Sequence, residues 1–314
     1  MMIDIADVEA ARERIRSWVR HTPVMVADQM KAPLPGEARV TLKLELLQAT
    51  GSFKARGAMN RFLGAPRESV AKGIVTASGG NHGLAVARTA HVAKVPAAIY
   101  VPKSVSPAKV VKMRAWGADV QIVGDAWDAS NAAALDFAAR TGAAYFHPFA
   151  DPLVVAGQGT LGLEILDDLP DMDAIVLAIV GGGLISGVST AIRARRPRVK
   201  IIGVEPVGSP TLKASIDAGH AVELATITSK VATMTCRRTD DRIYDIAAKN
   251  VDDIVLVSDE AMEEASRWLW FETGTAADLS GAASIAALQA GIPALKGARN
   301  ICALVCGAGA EGTA

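Results

Sequence analysis

The stretch "AIVLAIVGGGLISGVSTAIRARR", residues 174–196, decides the fold. It begins with seven apolar residues, passes through three consecutive glycines and continues as a helix-like segment. Continuous apolar runs are typical of strands buried on both faces, as in parallel sheets that are covered by helices on both sides. The stretch therefore predicts a strand, a glycine-rich loop and a helix, which is the repeating unit of an α/β protein.

Short apolar runs alternate with helix-like segments along the rest of the chain. These runs are "VTLKLELL", "GIVTAS", "PAAIYVP", "DVQIVG", "AAYFHP", "KIIGVEP", "DIVLVS" and "NICALVC". The first alternates apolar and polar residues, which predicts a half-buried strand, and an amphipathic helix is expected before it, between Ile5 and Val19. The strands outnumber those of one small sheet, so we expect two α/β lobes with a site between them.

Composition and charge argue against several classes of protein. Of 314 residues, half are hydrophobic, and 33 basic residues balance 33 acidic ones, so nucleic acid and anionic membranes are poor partners. The three cysteines form no CxxC pair, and Cys302 and Cys306 on one strand would lie about 13 Å apart, too far for a disulfide. Without a signal peptide or a membrane-spanning run, a soluble cytoplasmic protein is expected. No regulatory module is expected after the last strand.

Three glycine-containing loops follow predicted strands, where ligands bind in α/β folds. They are "ASGGNHG" (Ala77–Gly83), "VGGGLISG" (Val180–Gly187) and "CGAGAEG" (Cys306–Gly312). Glycines let backbone N–H groups approach a ligand, and a helix N-terminus favours anions, so "VGGGLISG" is a candidate phosphate site. It matches neither the dinucleotide fingerprint nor the P-loop, and glycines that only ease strand-to-helix packing remain an alternative.

A lysine stands in "LLQATGSFKARGAMN", residues 46–60, between a Gly-Ser-Phe turn and a small-residue run that looks helical. Lys54 is either a solvated lysine at a helix start or an amine held ready for a carbonyl compound. Gly51 and Gly57 are expected to keep its surroundings open. An amine together with a phosphate site indicates a cofactor that carries an aldehyde and a phosphate, namely pyridoxal 5'-phosphate (PLP).

Four motifs, in order and spacing, resemble a known family. "TGSFKARGAMN", "SGGNHG", "GQGTLGLEI" and "GGGLISG" are similar to those of the PLP-dependent serine/threonine dehydratase and serine racemase family of fold type II, across essentially the whole chain. The resemblance implies two open, twisted sheet domains flanked by helices, as in the tryptophan synthase β subunit, with the cofactor in the cleft between them. The expected large PLP-binding domain covers residues 1–48 plus 147–314, and the small domain covers 49–146. A homodimer is expected.

The resemblance also implies roles for individual residues. Lys54 would be the Schiff-base lysine and the base that removes the α-proton, and Phe53 would lie beside the cofactor ring. The residues implied to bind the cofactor are Phe53, Lys54, Asn81, Gly181, Gly182, Gly183, Leu184 and Cys306. Those implied to surround the substrate carboxylate are Ser78, Gly80, Asn81 and His82.

Within that set, Asn81 would hydrogen-bond the ring hydroxyl, and the glycines with Leu184 would wrap the phosphate with backbone N–H groups. Cys306 would face the pyridine nitrogen. A thiol is a weak partner for that nitrogen, which favours β-elimination over transamination. Two alternatives stay open: His82 as a helix-start residue only, and Cys306 as a buried structural thiol.

Several positions depart from the family pattern. Gly79 stands where racemases carry a serine, which makes racemisation less favoured than dehydration. Val180 replaces the first glycine of the phosphate loop. The usual Glu-Pro segment is replaced by "GTAADLSGAA", and the Ala-Asp-Gly stretch by "TSKVATMTC", so the substrate is left open. The cation site of some relatives would retain Glu205 and a Ser209 carbonyl, but Thr211 replaces its second carboxylate. No metal is therefore expected.

The predicted reaction is PLP-dependent β-elimination of a β-hydroxy amino acid, such as L-threonine or L-serine, to a 2-oxo acid and ammonia. The alternatives are a dehydratase for a bulkier or acidic hydroxy amino acid (3-phenylserine or 3-hydroxyaspartate), β-replacement, or racemisation. A PLP-binding or small-ligand-binding protein without turnover is the alternative of another class.

Overall fold

The strands of the protein form two sheets in the computed structural model, which describes residues 2–313. In chain order the strands are β1 (Val24–Val26), β2 (Arg39–Lys43), β3 (Ile74–Ala77), β4 (Ala97–Val101), β5 (Asp119–Ile122), β6 (Ala144–Tyr145), β7 (Ala174–Ala178), β8 (Lys200–Pro206), β9 (Asp253–Val257) and β10 (Asn300–Leu304). The larger sheet has the order β1-β2-β10-β7-β8-β9, with β1 antiparallel to β2 and the other pairs parallel. The smaller sheet, β5-β4-β3-β6, is parallel. The predicted α/β class with two helix-flanked sheets is confirmed.

Helices fill the connections between these strands. They are α1 (Ile5–Ile15), α2 (Lys54–Gly64), α3 (Arg67–Val70), α4 (Asn81–Ala93), α5 (Pro107–Ala115), α6 (Trp127–Thr141), α7 (Pro152–Asp168), α8 (Gly183–Arg195), α9 (Thr211–Ala218), α10 (Asp241–Asn250), α11 (Asp259–Thr273) and α12 (Leu279–Ala290). Sequence patterns missed β1, α3, α9, α10 and α12. The start of α12 falls inside the atypical "GTAADLSGAA" segment.

β7, which was predicted from the seven-residue apolar run, is buried at all five of its residues. It pairs with β10 on one side and β8 on the other. The glycines after it lead directly into α8. Every strand of the smaller sheet lies within residues 74–145, whereas the larger sheet combines strands from both sides of that range. The domain bounds given above stay a prediction.

The prediction for "VTLKLELL" is wrong in one respect. Its polar positions do not face solvent: Lys43 and Glu45 are each 0 % exposed. Lys43 Nζ lies 2.7 Å from both Glu164 Oε1 and Asp168 Oδ2. These ion pairs keep the buried charges in contact with partners. β2 ends at Lys43, and a 3₁₀ turn (Glu45–Leu47) begins two residues later.

Arg56 continues this ion network from α2. Its guanidinium contacts Glu45 through Nε, at 2.6 Å, and Glu164 through Nη2, at 2.9 Å. His21, Glu164 and Asp168 have the mutual spacing of metal ligands, but the Lys43 ammonium already contacts both carboxylates. The group is therefore better described as part of the ion network.

The three cysteines, all within the described residues, are free. Between residues 2 and 313, no helix is both long enough and apolar enough to cross a membrane.

Candidate active site

Lys54 is the first residue of α2, directly after a turn that contains two left-handed residues, Thr50 (φ 65°) and Gly51 (φ 89°). Its Nζ donates a hydrogen bond to the carbonyl oxygen of Pro148 at 2.7 Å and lies 5.2 Å from the centre of the Phe53 ring. The residue is only partly exposed, and burial lowers its pKa from 10.5 to about 8. Lys54 is therefore an amine that loses its proton much more easily than a solvated lysine.

Gly57 serves packing rather than openness around Lys54. A Cβ at this position would lie 2.4 Å from Gln158 Nε2 and 2.8 Å from the Val154 carbonyl oxygen. Both of those residues belong to α7. The missing side chain therefore allows α2 and α7 to approach closely, so the expectation for Gly57 is wrong.

The loop between β3 and α4 contains Ser78, Gly79 and Gly80, and α4 begins at Asn81. The backbone N–H of Gly80 donates to Ser78 Oγ at 3.4 Å. At Gly79 an added Cβ would lie 2.8 Å from Val105 Cγ2, so this position has little room for a side chain. The first backbone N–H groups of α4 lack intrahelical acceptors, as at any helix start, and this turn suits an anion.

The imidazole of His82 is buried and held in one tautomer. Its Nε2 donates to the carbonyl oxygen of Phe146 at 3.2 Å, and Nδ1 has no hydrogen-bond partner among the described residues. Burial, with a smaller effect from the Lys54 charge, lowers the His82 pKa to about 3. A neutral ring with its proton on Nε2 can only accept at Nδ1. Any donation by His82 to a substrate carboxylate would therefore come from its backbone N–H.

The glycine-rich loop leads from β7 into α8. Gly182 adopts φ 87°, a left-handed conformation that favours glycine, and α8 begins at Gly183. Phe149 lies directly against the loop: a Cβ at Gly181 would be 2.3 Å from its ring, and one at Gly183 would be 2.7 Å from its carbonyl oxygen. Thr239 Oγ1 donates to the Gly181 carbonyl at 3.1 Å. The loop is therefore packed from two sides while the first N–H groups of α8, including that of Leu184, remain free of intrahelical bonds.

Cys306 follows β10 and is buried. Its thiol donates to the Ser280 carbonyl oxygen at 3.3 Å. Burial raises the pKa of this thiol, and the nearby Asp278 carboxylate raises it further, so the group stays protonated. Both the ring-facing role and the structural role predicted for Cys306 are compatible with a neutral thiol.

Asp278 is a residue of this region that sequence analysis missed. It is 1 % exposed and caps α12, because its Oδ1 accepts hydrogen bonds from the Gly281 N–H at 2.7 Å and from Ser280 Oγ at 2.6 Å. Its Oδ2 accepts from Asn81 Nδ2 at 2.7 Å. An aspartate followed by a run of small residues is a helix-start signal, and it could have revealed both α12 and this carboxylate.

His147 was missed as well. Its Nδ1 accepts hydrogen bonds from the backbone N–H groups of Phe149 and Ala150, at 3.2 and 2.8 Å. Burial, and then the charge of Lys54, lower the His147 pKa to about 4. The neutral ring thus fixes the turn whose Pro148 carbonyl holds Lys54. The "FHP" sequence after a predicted strand was the available signal.

Glu205, Ser209 and Thr211 stand outside this arrangement. Glu205 accepts hydrogen bonds from the N–H groups of Leu212 and Lys213, at 2.8 Å each, at the start of α9. Thr211 Oγ1 donates to the carbonyl of Cys236. The Glu205 carboxylate is thus already hydrogen-bonded to the start of α9. The absence of a metal stays a prediction.

The predicted residues lie after the carboxyl ends of strands or at the starts of helices. Asn81 follows β3, Pro148 follows β6, the glycines follow β7 and Cys306 follows β10. Two direct contacts join residues that follow strands of the smaller sheet to residues beside the larger sheet. Asn81 contacts Asp278, and Phe149 contacts Gly181 and Gly183. An amine with a lowered pKa therefore shares one region with glycine-lined helix starts that suit an anion.

Comparisons with known proteins agree with this geometry. The family model described as "Pyridoxal-phosphate dependent enzyme" matches residues 15–307. L-threonine ammonia-lyase of Thermotoga maritima is 37% identical over 287 residues, which cover 91% of this chain and 71% of the relative. Phenylserine dehydratase of Ralstonia pickettii is 35% identical over 304 residues, 97% of this chain and 92% of the relative.

Solved structures are similar over nearly the whole chain. Maize serine racemase superposes with a TM-score of 0.93 at 30% identity, covering 98% of this chain and 94% of the racemase. Threonine deaminase from T.th. gives a TM-score of 0.90 at 33% identity and covers 98% of both chains. Taken together, the two-sheet fold, the lysine with its glycine-lined helix starts and these similarities lead to one conclusion: the chain belongs to the pyridoxal-phosphate-dependent enzyme family, in the branch that contains the serine/threonine dehydratases and serine racemases.

Proposed function

We propose that the chain binds PLP through Lys54 and converts a β-hydroxy amino acid, such as L-threonine or L-serine, to a 2-oxo acid and ammonia. The observation that carries the proposal is the Lys54 amine: it is held by the Pro148 carbonyl, and its pKa is lowered to about 8 by burial. An amine that is easily deprotonated near neutral pH is suited both to attach an aldehyde and to act as a base.

The surrounding residues fit this cofactor. A side chain at Gly181 or Gly183 would collide with Phe149, so glycine lets the loop pack closely against this residue. The first backbone N–H groups of α8 lack intrahelical acceptors and can donate to an anion. The hydroxyls of Ser52 and Ser186 are buried and have no partner in the described part of the chain. Such groups are costly unless something bonds to them, and a phosphorylated ligand is rich in acceptor oxygens. Gly181, Gly182, Gly183 and Leu184 would hold its phosphate, and Asn81 its ring hydroxyl.

When bound, PLP supplies an aldehyde for the amino group and a conjugated ring that withdraws electrons from the α-carbon. The protein supplies the rest. The Lys54 amine takes the α-proton, and the Pro148 carbonyl orients its Nζ. The backbone N–H groups at the start of α4, with Ser78 and Gly80, hold the substrate carboxylate. Loss of the β-hydroxyl as water and hydrolysis of the resulting imine leave the 2-oxo acid and ammonia.

The substrates considered differ in the size of the substituent on the β-carbon. Threonine ammonia-lyase and phenylserine dehydratase relatives have similar identities, 37% and 35%. The phenylserine enzyme matches over 92% of its length, which makes 3-phenylserine the second candidate. Racemisation is less favoured because Gly79, where racemases carry a serine, faces Val105 with little room for a side chain. We keep 3-hydroxyaspartate and β-replacement as less favoured alternatives.

The test is a substrate panel on the purified protein supplied with PLP. L-threonine, L-serine, 3-phenylserine and 3-hydroxyaspartate are added in turn, and the visible absorption and the 2-oxo acid formed are measured. We expect product from L-threonine or L-serine, and no product from Lys54→Ala. A cofactor band without product from any substrate would contradict the dehydratase. Turnover by Lys54→Ala would contradict the assignment of the base.

Three further expectations belong to this proposal. We infer a homodimer, a cytoplasmic location, and a small domain at 49–146 inserted between 1–48 and 147–314. Light scattering on the purified protein tests the first, cell fractionation the second, and limited proteolysis the third. A monomer at working concentration would contradict the dimer without affecting the chemistry.

A further inference from the structure

The side-chain amide of Asn81 donates a hydrogen bond to the carboxylate of Asp278. A carboxylate oxygen only accepts hydrogen bonds, so the contact of 2.7 Å between Asn81 Nδ2 and Asp278 Oδ2 fixes which end of the amide faces Asp278. One N–H of the NH₂ group is used in this bond. The second N–H and the carbonyl oxygen keep fixed directions.

The carboxylate is itself fixed. Asp278 Oδ1 is bonded to the Gly281 N–H and to Ser280 Oγ at the start of α12, and the Asp278 N–H donates to the Gly307 carbonyl at 3.0 Å. With both oxygens occupied and 1 % exposure, Asp278 has little freedom to rotate. A buried residue with this many bonds is a rigid support for its partner.

Gly307 shows how close this pair lies to the predicted cofactor site. A Cβ at Gly307 would be 2.6 Å from Asp278 Oδ2 and 2.9 Å from Asn81 Nδ2. Gly307 follows Cys306, the residue expected at the pyridine nitrogen. The backbone after β10 therefore passes directly along the Asn81–Asp278 hydrogen bond, where only glycine fits.

We propose that Asp278 is a positioning residue, which holds the Asn81 amide so that its second N–H donates to the ring oxygen of PLP. The inference rests on the proposed function, because it requires PLP to bind beside Asn81. Asp278 itself need not touch the reacting atoms. Its effect is to keep a donor, rather than the amide carbonyl, directed at the negative ring oxygen.

Asp278→Asn tests this with almost no change of volume. The oxygen of the new amide must stay on the Gly281 N–H and Ser280 to cap α12, so its NH₂ group faces Asn81. Two NH₂ groups cannot bond each other, so the Asn81 amide has to turn over and present its oxygen. The donor to PLP is then lost. We expect about tenfold weaker PLP binding, since a hydrogen bond to a charged oxygen is removed. The visible band of bound PLP should also move toward the shorter-wavelength form with a protonated ring oxygen.

Matched variants separate positioning from folding. Asp4→Asn makes the same change at the cap of α1, where Asp4 accepts from the Asp7 N–H, and should leave the spectrum and the PLP affinity unchanged. Asp278→Ser keeps a helix cap but removes the acceptor for Asn81, so it should also weaken PLP binding. It serves as the test if Asp278→Asn does not fold. In an Asn81→Ala background, Asp278→Asn should cause no further spectral change.

The outcomes are distinguishable. A folded Asp278→Asn protein with the wild-type band and affinity would overturn the inference, and so would an additional spectral change in the Asn81→Ala background. If the wild-type protein gave no band with PLP, the proposed function would fail instead.

Discussion

At the scale of single residues, the site is defined by groups whose protonation is set by burial. Lys54 has its pKa lowered to about 8, whereas His82 and His147 have theirs lowered to about 3 and about 4. Both histidines are therefore neutral across the range in which Lys54 changes charge. Of these three groups, only the lysine changes its charge near neutral pH.

This gives a prediction for the uptake of PLP by the protein freed of cofactor. Only a neutral amine attacks an aldehyde, and its fraction rises as the pH rises through the pKa. The rate of PLP attachment, followed by absorbance, should therefore increase from about pH 6, reach half its maximum near about pH 8 and level off above about pH 9. A solvated lysine, for which Nα-acetyl-lysine is the control, would keep gaining up to about pH 11. A rate that still climbs steeply beyond about pH 9 would contradict the lowered pKa.

At the scale of elements, the glycine-rich loop is shaped by what packs under it. Gly181 and Gly183 lie against Phe149, which belongs to the turn that also holds Lys54 through Pro148. One short turn after β6 therefore supports both the amine and the start of α8. A substitution in the glycine-rich loop should therefore weaken PLP binding even where it removes no hydrogen-bond donor.

Gly183→Ala is the variant that tests this support. Its Cβ would lie 2.7 Å from the Phe149 carbonyl oxygen, and a backbone atom cannot move aside cheaply. We expect a loss of about 1–3 kcal/mol in unfolding free energy, together with weaker PLP binding. Gly219→Ala is the control: it has open space but a left-handed φ of 75°, so it should lose stability without losing PLP affinity. Unchanged PLP affinity in Gly183→Ala would show that the loop tolerates the shift.

At the scale of the whole molecule, a buried ion network joins β2, α2 and α7. Glu45, Glu164 and Asp168 are matched there by Arg56 and Lys43. Burial acts to raise the Glu164 pKa, but Arg56 and Lys43 outweigh it and the pKa is lowered. A carboxylate with a lowered pKa stabilises the fold above its unfolded pKa, near 4.3, and this contribution is lost as the pH falls further.

Arg56→Met should reveal the cost of breaking the network. It leaves Glu45 and Glu164 buried without their guanidinium partner, so we expect a loss of about 3–5 kcal/mol in unfolding free energy, measured with urea. Arg12→Met is the matched control, because the Arg12–Asp167 pair is about half exposed and should be worth about 1 kcal/mol or less. Equal losses in the two variants would contradict a special role for the buried network.

Prediction from sequence succeeded where a local pattern determines the structure. Apolar runs marked β3 to β10, whereas the role of Lys54 beside the glycine loops stays a prediction. It failed where a distant partner decides. The polar residues Lys43 and Glu45 look solvated until α7 supplies Glu164 and Asp168 to Lys43 and α2 supplies Arg56 to Glu45. Asp278 looks like an ordinary loop residue until Asn81, 197 positions earlier, reaches its carboxylate.

The position of β10 in the larger sheet also determines the order in which the protein can assemble during synthesis. This strand lies between β2 and β7, and Arg39 pairs with Asn300 across most of the chain. The strands of the smaller sheet are all available once residue 145 has been made. β1 and β2, although synthesised first, must wait for β10 before they join the larger sheet. On a ribosome, the first strands made are thus among the last to find their place, and a nascent chain keeps their edges exposed until translation reaches residue 304.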